Sequence, residues 1–374
     1  MDYALLMVWS ERRRFLPAIL AVTFSTLLIA LQFGLLIGVF AIVSIPIDQS
    51  QADVWVGYPG VKSIDLGLPI PEDWRHQVAR YPEVERTEAY VQGYIPWGQP
   101  GRSVEMCLVV GTRLDADSLG AIGSLTPEMR YRLMEPGTIV VAEGDKDQLG
   151  IRDVGHVAEL AGHRVRVVGF LPGIKGLGGA YLFCSLQTAR MLLEPLGLGP
   201  DRTIFILARC RSPEAATSLV QKLRDNPNIS AYTREEFSLS TRWYWLTRTK
   251  AGLNLGYASL LGLIVGAAIT SQTLAGAVAA SAREFAVLEA LGIPTGRMAT
   301  LILQQALLVG LFGVVLAFPL TLGLAQGLTY LGTTMLLPPS LVLGASAVTL
   351  TMALLSGLWA LRSLRLAEPA VLLR

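Results

Sequence analysis

Three long stretches without a charged residue limit what this chain can fold into. No Asp, Glu, Lys or Arg occurs in Phe15–Ile47, Ala251–Ala282 or Met298–Leu361. A membrane-spanning helix needs ~20 apolar residues. The first two stretches therefore predict one span each, and the third predicts two spans separated near Pro338 and Pro339. Charged residues make up only 16% of the chain, against roughly 25% in an average soluble protein.

The positive charges between these stretches predict an orientation. Arginines cluster before the first span (12–14), between the second and third spans (283 and 297), and after the fourth span (362, 365 and 374). By the positive-inside rule these sites share the cytoplasmic face. Both termini are then expected in the cytoplasm of an inner-membrane protein, and the first span is expected to be retained rather than cleaved as a signal peptide.

The resulting segmentation alternates membrane and aqueous parts. We expect a cytoplasmic segment (1–14), the first span (15–47), an extracytoplasmic domain (48–245), a stalk with the second span (246–282), a cytoplasmic helix and loop (283–297), the third span (298–330), an external turn (331–340), the fourth span (341–361) and a cytoplasmic tail (362–374).

The region between the first two spans reads as an α+β domain. Alternating apolar patterns predict strands at 52–56, 103–111, 138–142, 157–160, 165–171, 181–185 and 202–208. Helices are expected at 71–80, 186–193 and 213–225, the last with Ser212 as its N-cap. The aromatic run Trp243–Trp245 is typical of a belt at the membrane surface. The fold class is an α-helical membrane protein with four transmembrane helices and one α+β extracytoplasmic domain between helices 1 and 2.

A search for chemistry finds little. The chain has no phosphate-binding loop, and the glycine-rich Gly173–Gly179 is expected to be a surface turn. His76, His156 and His163 lack metal-ligand spacing, so no metal site and no catalytic residue are predicted. No basic stripe with interleaved aromatic residues suggests nucleic acid. Cys107, Cys184 and Cys210 allow one disulfide, although buried thiols are the favoured interpretation.

Small residues mark the expected helix contacts. Glycine pairs four residues apart let membrane helices approach closely, and the predicted helix-packing and dimer positions are Gly34, Gly38, Gly252, Gly256, Gly262 and Gly266. Gln304 and Gln305 should face other helices, and Pro319 should kink the third span.

The stretch Ser281–Pro294 has the pattern of a short amphipathic helix. Phe285, Leu288 and Leu291 form an apolar face, while Arg283, Glu284 and Glu289 lie mostly off it. Gly292 suits a C-terminal cap. Read alone, such a stretch between two spans is more often an ordinary solvated loop helix.

Three features together resemble the MacB/FtsX-like permeases, the type VII (mechanotransmission) ABC transporter permeases. They are the layout of one span, a large external domain and three further spans; the stretch Arg283–Gly292; and the ending Leu366–Arg374. The likeness is nearest to DevC-like permeases, which lack a fused ATPase and pair with a membrane-fusion protein. Glu289 departs from the family pattern, where an arginine is common, and Gln305 replaces a frequent acidic residue.

The resemblance implies roles for these parts. Arg283, Glu284, Phe285, Leu288, Glu289, Leu291 and Gly292 would form the coupling helix that docks on a separate ABC ATPase. ATP and Mg²⁺ would bind that ATPase, and this chain would bind no cofactor and would not be an enzyme. Two copies would pair in the lipid membrane, with a membrane-fusion protein as a further partner and no nucleic acid.

Three functions remain open at this point. The resemblance favours export of a hydrophobic or amphipathic cargo. An FtsX-like signal transmitter that activates cell-wall hydrolases without transport is the main alternative, although FtsX-type external domains are usually smaller. A membrane receptor without an ATPase is the third, and the coupling-like helix argues against it.

Overall fold

The structure is a computed structural model that describes residues 12–98, 104–176, 178–280, 294–330 and 335–366. The helices, in chain order, are α1 (Arg12–Val43), α2 (Ile45–Asp48), α3 (Trp74–Val78), α4 (Pro127–Arg132), α5 (Leu186–Leu193), α6 (Pro213–Arg224), α7 (Arg234–Arg248), α8 (Lys250–Ala280), α9 (Thr295–Tyr330) and α10 (Pro339–Leu366). The strands are β1 (Val54–Gly57), β2 (Ile70–Pro71), β3 (Val84–Gly98), β4 (Glu105–Thr112), β5 (Thr138–Ala142), β6 (Val157–Leu160), β7 (His163–Leu171), β8 (Ala180–Ser185), β9 (Arg202–Thr203), β10 (Phe205–Cys210) and β11 (Ser230–Thr233).

These elements form two compact units, residues 1–38 with 253–374, and residues 39–252. Among the described residues, four helices are long and apolar enough to cross a membrane, at Phe15–Val43, Lys250–Thr273, Ala299–Leu328 and Pro339–Leu358. The predicted fold class, four spans with a mixed α/β domain after the first, is confirmed.

In the first unit, α1 packs against the other three long helices. Phe15, Ala18 and Val22 share a buried cluster with Ala306 and Val309 of α9 and Ala353 of α10. Further along α1, Ile29 and Ala30 pack with Ala345 of α10 and Leu263 of α8. Gln305 is almost fully buried, in line with the expectation that it faces other helices, and Pro319 lies inside α9.

The second unit is built on a nine-stranded sheet in the order β11-β1-β10-β3-β4-β8-β5-β7-β6. The long strand β3 divides it. Residues 84–90 of β3 pair with β10, whereas residues 91–97 pair with β4. Trp97 and Gly98 also pair with Leu160 and Glu159 of β6. This last pairing closes β3, β4, β8, β5, β7 and β6 into a barrel, which we call the closed barrel.

The three strands of this sheet outside the closed barrel, β11, β1 and β10, form with the first half of β3 a small sheet that is covered on both faces. Successive residues of β1 point to opposite sides. Val54 and Val56 belong to a cluster with α6 residues such as Leu219. Trp55 packs on the other face against Tyr90 (ring centroids 5.1 Å apart) and Phe237 of α7 (5.7 Å). Helix α7 is therefore part of the core of this domain.

Candidate functional site

Helix α7, which precedes the second candidate span, starts with a capping box. The Thr233 hydroxyl accepts a hydrogen bond from the Glu236 amide, and the Glu236 carboxylate accepts one from the Thr233 amide. This exchange satisfies two backbone groups that a helix start leaves free. The Thr-Arg-Glu-Glu sequence that produces it is a signal that the sequence analysis missed.

Helix α7 ends at Arg248, and Thr249 leaves the helical conformation. Thr249 is extended (φ −99°, ψ 147°), and its hydroxyl donates to the Trp245 carbonyl (2.6 Å) and accepts from the Gly252 amide (3.0 Å). A Cβ at Gly252 would overlap the Trp245 carbonyl oxygen. The absence of a side chain at Gly252 therefore lets the start of α8 lie close to the Trp245 carbonyl of α7. The segment predicted as a stalk with the second span begins at residue 246, within the last turn of α7, and continues as α8 after Thr249.

One face of α7 is fixed to the domain. Phe237 is fully buried and stacks on Tyr232, with ring centroids 5.3 Å apart. The hydroxyl of Thr241, also fully buried, accepts from the Ile64 amide (3.2 Å). The Ser240 hydroxyl donates to the Lys62 carbonyl (2.8 Å). The helix is thus held along its length by both apolar and polar contacts.

Arg242 of α7 joins the two segments by which the domain continues into the first and second candidate spans. Its guanidinium donates to the Asp48 carboxylate (2.6 Å) and the Ser44 hydroxyl (2.8 Å), and that hydroxyl donates to Asp48 (2.7 Å). Ser44 and Asp48 directly follow α1, while Arg242 precedes α8. An ion pair therefore links the domain's entry to its exit.

Three residues further along α7, Trp245 makes a second tie. Its indole N–H donates to the Asp65 carboxylate (2.6 Å), which also accepts from the hydroxyls of Tyr94 and Ser63, each at 3.3 Å. Burial raises the pKa of Asp65 above its ordinary value of 3.8, while these hydrogen bonds act in the opposite direction. We call Ser44, Asp48, Asp65, Arg242 and Trp245 the anchor cluster.

The two tryptophans near the end of α7 have different surroundings. Trp245 is half-buried and bonded to Asp65, whereas Trp243 is 67% exposed. Trp245 therefore has a partner within the domain, and the role of Trp243–Trp245 as a belt at the membrane surface stays a prediction. The sequence alone could not separate them, because the partner Asp65 lies 180 residues away.

The predicted coupling helix lies outside the described residues. All of Arg283, Glu284, Phe285, Leu288, Glu289, Leu291 and Gly292 belong to residues 281–293, which the structure does not describe. Their docking role stays a prediction.

The glycines predicted to pack helices differ in what lies next to them in the described part of the chain. A Cβ at Gly34 would lie 2.7 Å from Met335 Cε. At Gly262 and Gly266 it would lie 3.1 Å from Gln32 Cγ and 3.4 Å from Ser25 Cβ of α1. Gly38 is buried and Gly256 is half-buried. Contacts within one chain therefore occupy Gly34, Gly262 and Gly266, and the dimer role of the set stays a prediction.

Among the described residues, the cysteine thiols are buried, and the histidines do not form a cluster with other potential metal ligands. Cys107, Cys184 and Cys210 are free and buried, as favoured from sequence. His163 pairs with Leu160 across the β6–β7 hairpin, while the His156 carbonyl accepts from Val167. No group of three or more potential metal ligands occurs among these residues.

Two family models together cover nearly the whole chain. The MacB-like periplasmic core domain matches residues 15–226, more than half of the sequence. The chain belongs to the MacB/FtsX-like permease family. The FtsX-like permease C-terminal model matches residues 256–369. The chain is accordingly a membrane protein and an ABC-type permease subunit, and the family implies an ABC ATPase partner.

Three solved structures are each similar to about half of this chain. The periplasmic region of MacB from Actinobacillus actinomycetemcomitans is 11% identical, with a TM-score of 0.35, and the match covers 52% of this chain and 94% of that one. The extracellular domain of the transporter YknZ from Gram-positive bacteria is also 11% identical (TM-score 0.32; 48% and 98% covered). A domain of a permease protein from Porphyromonas gingivalis is 12% identical (TM-score 0.29; 50% and 90% covered). No curated protein matches the sequence.

Proposed function

We propose that this permease couples ATP hydrolysis by a separate ATPase to movement of its extracytoplasmic domain, and that the movement drives export. The anchor cluster is the observation that carries this proposal. Arg242 binds Asp48, and Trp245 binds Asp65. A displacement that reached α7 would therefore be passed to the domain rather than absorbed by a flexible linker.

The orientation in this proposal comes from charge. Arg283, Arg297 and Arg362 would lie on the cytoplasmic side of the inner membrane together with both termini. Residues 39–252, which fold as a compact unit, would then lie outside. The ATPase, with its ATP and Mg²⁺, would work on the opposite side of the membrane from the domain that it moves.

Contact with the ATPase is assigned to Arg283–Gly292. An apolar stripe of Phe285, Leu288 and Leu291, flanked by charges of both signs, suits a groove on a partner. Replacing Phe285 with Asp would place a charge on that stripe. We expect Phe285→Asp to abolish ATPase recruitment and Phe285→Leu, which keeps the stripe apolar, to retain it. Equal recruitment by both variants would refute the docking role.

The cargo is proposed to be hydrophobic or amphipathic, with a membrane-fusion protein receiving it and a second permease copy completing the complex. This part rests on the likeness to DevC-like permeases and on the size of the external domain. Purification from the native membrane in mild detergent, followed by identification of bound proteins, tests it. An ATPase with a membrane-fusion protein supports export. An ATPase with a cell-wall hydrolase would instead establish the FtsX-like signalling role, and absence of an ATPase under expressing conditions would overturn both.

A further inference from the structure

Trp245 contacts more than Asp65. Gly178, just before β8, would place a Cβ 3.5 Å from Trp245 Cη2 and 3.3 Å from the Tyr94 hydroxyl oxygen. Tyr94 lies in the part of β3 that belongs to the closed barrel, opposite Leu108 of β4. The indole at the end of α7 therefore reaches Tyr94 through Asp65, and its ring edge lies near Gly178.

The glycine-rich segment that meets Trp245 is itself held firmly. Asp145, fully buried, accepts from the Gly176 amide with both carboxylate oxygens and from the Tyr181 amide, all at 2.9 Å. A Cβ at Gly179 would lie 2.7 Å from the Met106 carbonyl oxygen. Pro172 and Gly173 form an exposed turn and Gly178 is exposed, in line with the expected surface turn. Gly178 thus lies near Trp245 and Tyr94, and Gly179 lies near the Met106 carbonyl of β4.

The neighbouring tryptophan provides a contrast. Trp243 lies on the same helix and is 67% exposed. Its carbonyl accepts from Thr247 within α7. Two tryptophans on one helix, one tied to the barrel and one on the surface, allow a matched comparison.

We infer that Trp245 is a positioning residue that makes the closed barrel follow α7, acting through Asp65 and Gly178. The inference rests on the proposed function, because it concerns how movement of α7 reaches the rest of the domain. Phe237 of α7 reaches β3 through the aromatic core of Trp55 and Tyr90, while the indole of Trp245 adds a polar link from the end of α7 to the barrel half of β3 and lies near the start of β8. Loss of this contact should therefore leave α7 responsive and make the barrel lag.

The test uses the full-length permease purified with its ATPase and placed in lipid nanodiscs. A donor dye is attached at Leu239→Cys on α7, which is 64% exposed, or at Val157→Cys on β6, which is 40% exposed. Energy transfer to a headgroup-labelled lipid acceptor is compared with ATP and with ADP. The three native cysteines are buried, so the dye should react at the introduced site.

In the unaltered background we expect ATP to shift the transfer at both positions. Trp245→Phe should keep the shift at position 239 and reduce that at 157 at least about twofold, since residues within a coupling network change coupling to that extent or more. Trp243→Phe should match the unaltered protein at both positions. Asp65→Leu should reproduce the Trp245→Phe result, and the double variant should show little further loss, because the two act on one contact.

An unchanged shift at position 157 in both Trp245→Phe and Asp65→Leu would overturn the inference while leaving the proposed function intact. If neither position shows a shift in the unaltered complex, the proposed function is refuted, and the inference with it. The shift at position 239 and the rate of ATP hydrolysis also separate lost coupling from lost folding, since a misfolded domain would lose the response at both reporters.

Discussion

The guanidinium of Arg242 lies 2.6 Å from the carboxylate of Asp48, although 194 residues separate them in sequence. Both side chains are partly exposed, at 39% and 35%. Because solvent screens such a pair, we expect it to contribute little to the free energy of unfolding and to act mainly by holding two segments in position. It fixes the start of the domain against its final helix.

The first prediction concerns the strength of this pair. A double-mutant cycle with Arg242→Ala and Asp48→Ala should give a coupling free energy of about 0.2–1 kcal/mol, the range for solvent-exposed ion pairs. Thermal unfolding of the purified protein, followed by tryptophan fluorescence, measures it. A coupling well above that range would show that the pair is a major source of stability, contrary to its exposure.

The second prediction is a pH dependence at Asp65. Because burial raises its pKa above 3.8, the folded state keeps a proton that the unfolded chain has already released. Stability should therefore fall as pH rises from about 4 through the raised pKa. Asp65→Asn, which can still accept from Trp245, should weaken this fall in melting temperature.

The matched control for Asp65 is Asp147→Asn, at an exposed position of the same domain. It should leave the pH dependence unchanged. Some slope should persist in Asp65→Asn, since burial also raises the pKa of Asp145. Identical slopes in Asp65→Asn and the unaltered protein would contradict the assignment.

The third prediction concerns packing between α1 and α8. The Ser25 hydroxyl donates to the Gly266 carbonyl (2.9 Å) and accepts from Thr270 (3.0 Å). Gly266→Leu must push the helices apart and should cost about 1–3 kcal/mol, as overpacking does. Gly276→Leu on the same helix has open space around it and should be neutral. Equal melting temperatures for the two variants would refute the close contact.

The fourth prediction concerns the cysteines. Burial raises the pKa of Cys107 to about 12 and that of Cys210 to about 11, and Cys184 shifts in the same direction. Buried, protonated thiols react slowly. A maleimide at neutral pH should leave the folded protein unlabelled and label all three cysteines after denaturation without reductant. Labelling of only one thiol after denaturation would reveal a disulfide.

The elements that were predictable from sequence are those with local signals. Long stretches without charged residues identify the spans. Ser212 caps α6 as expected, because its hydroxyl accepts a hydrogen bond from the Ala215 amide. Strands Thr138–Ala142 and Val157–Leu160 and helix Leu186–Leu193 have the predicted bounds. In these segments burial pattern and capping act over a few residues, so neighbouring sequence is sufficient.

The longest strand, Val84–Gly98, is not predictable from local sequence because its partners are remote. Its charged first half lacks an alternating apolar pattern, and fully buried Glu88 is satisfied by Ser118 (2.7 Å) and the Leu119 amide (2.8 Å). Closure of the barrel depends likewise on the pairing of Trp97 with Leu160. The Trp245–Asp65 contact in the candidate site likewise joins residues that are far apart in the sequence. Long-range pairings of this kind leave no local sequence pattern.

The most direct test of the central claim is whether ATP on one side of the membrane moves α7 on the other. Energy transfer from a dye at Leu239→Cys to a headgroup-labelled lipid, in nanodiscs with the ATPase bound, should differ between ATP and ADP. The difference should vanish in the Phe285→Asp background. Identical transfer under both nucleotides, in a complex that hydrolyses ATP at its normal rate, would contradict the proposal that this permease transmits movement.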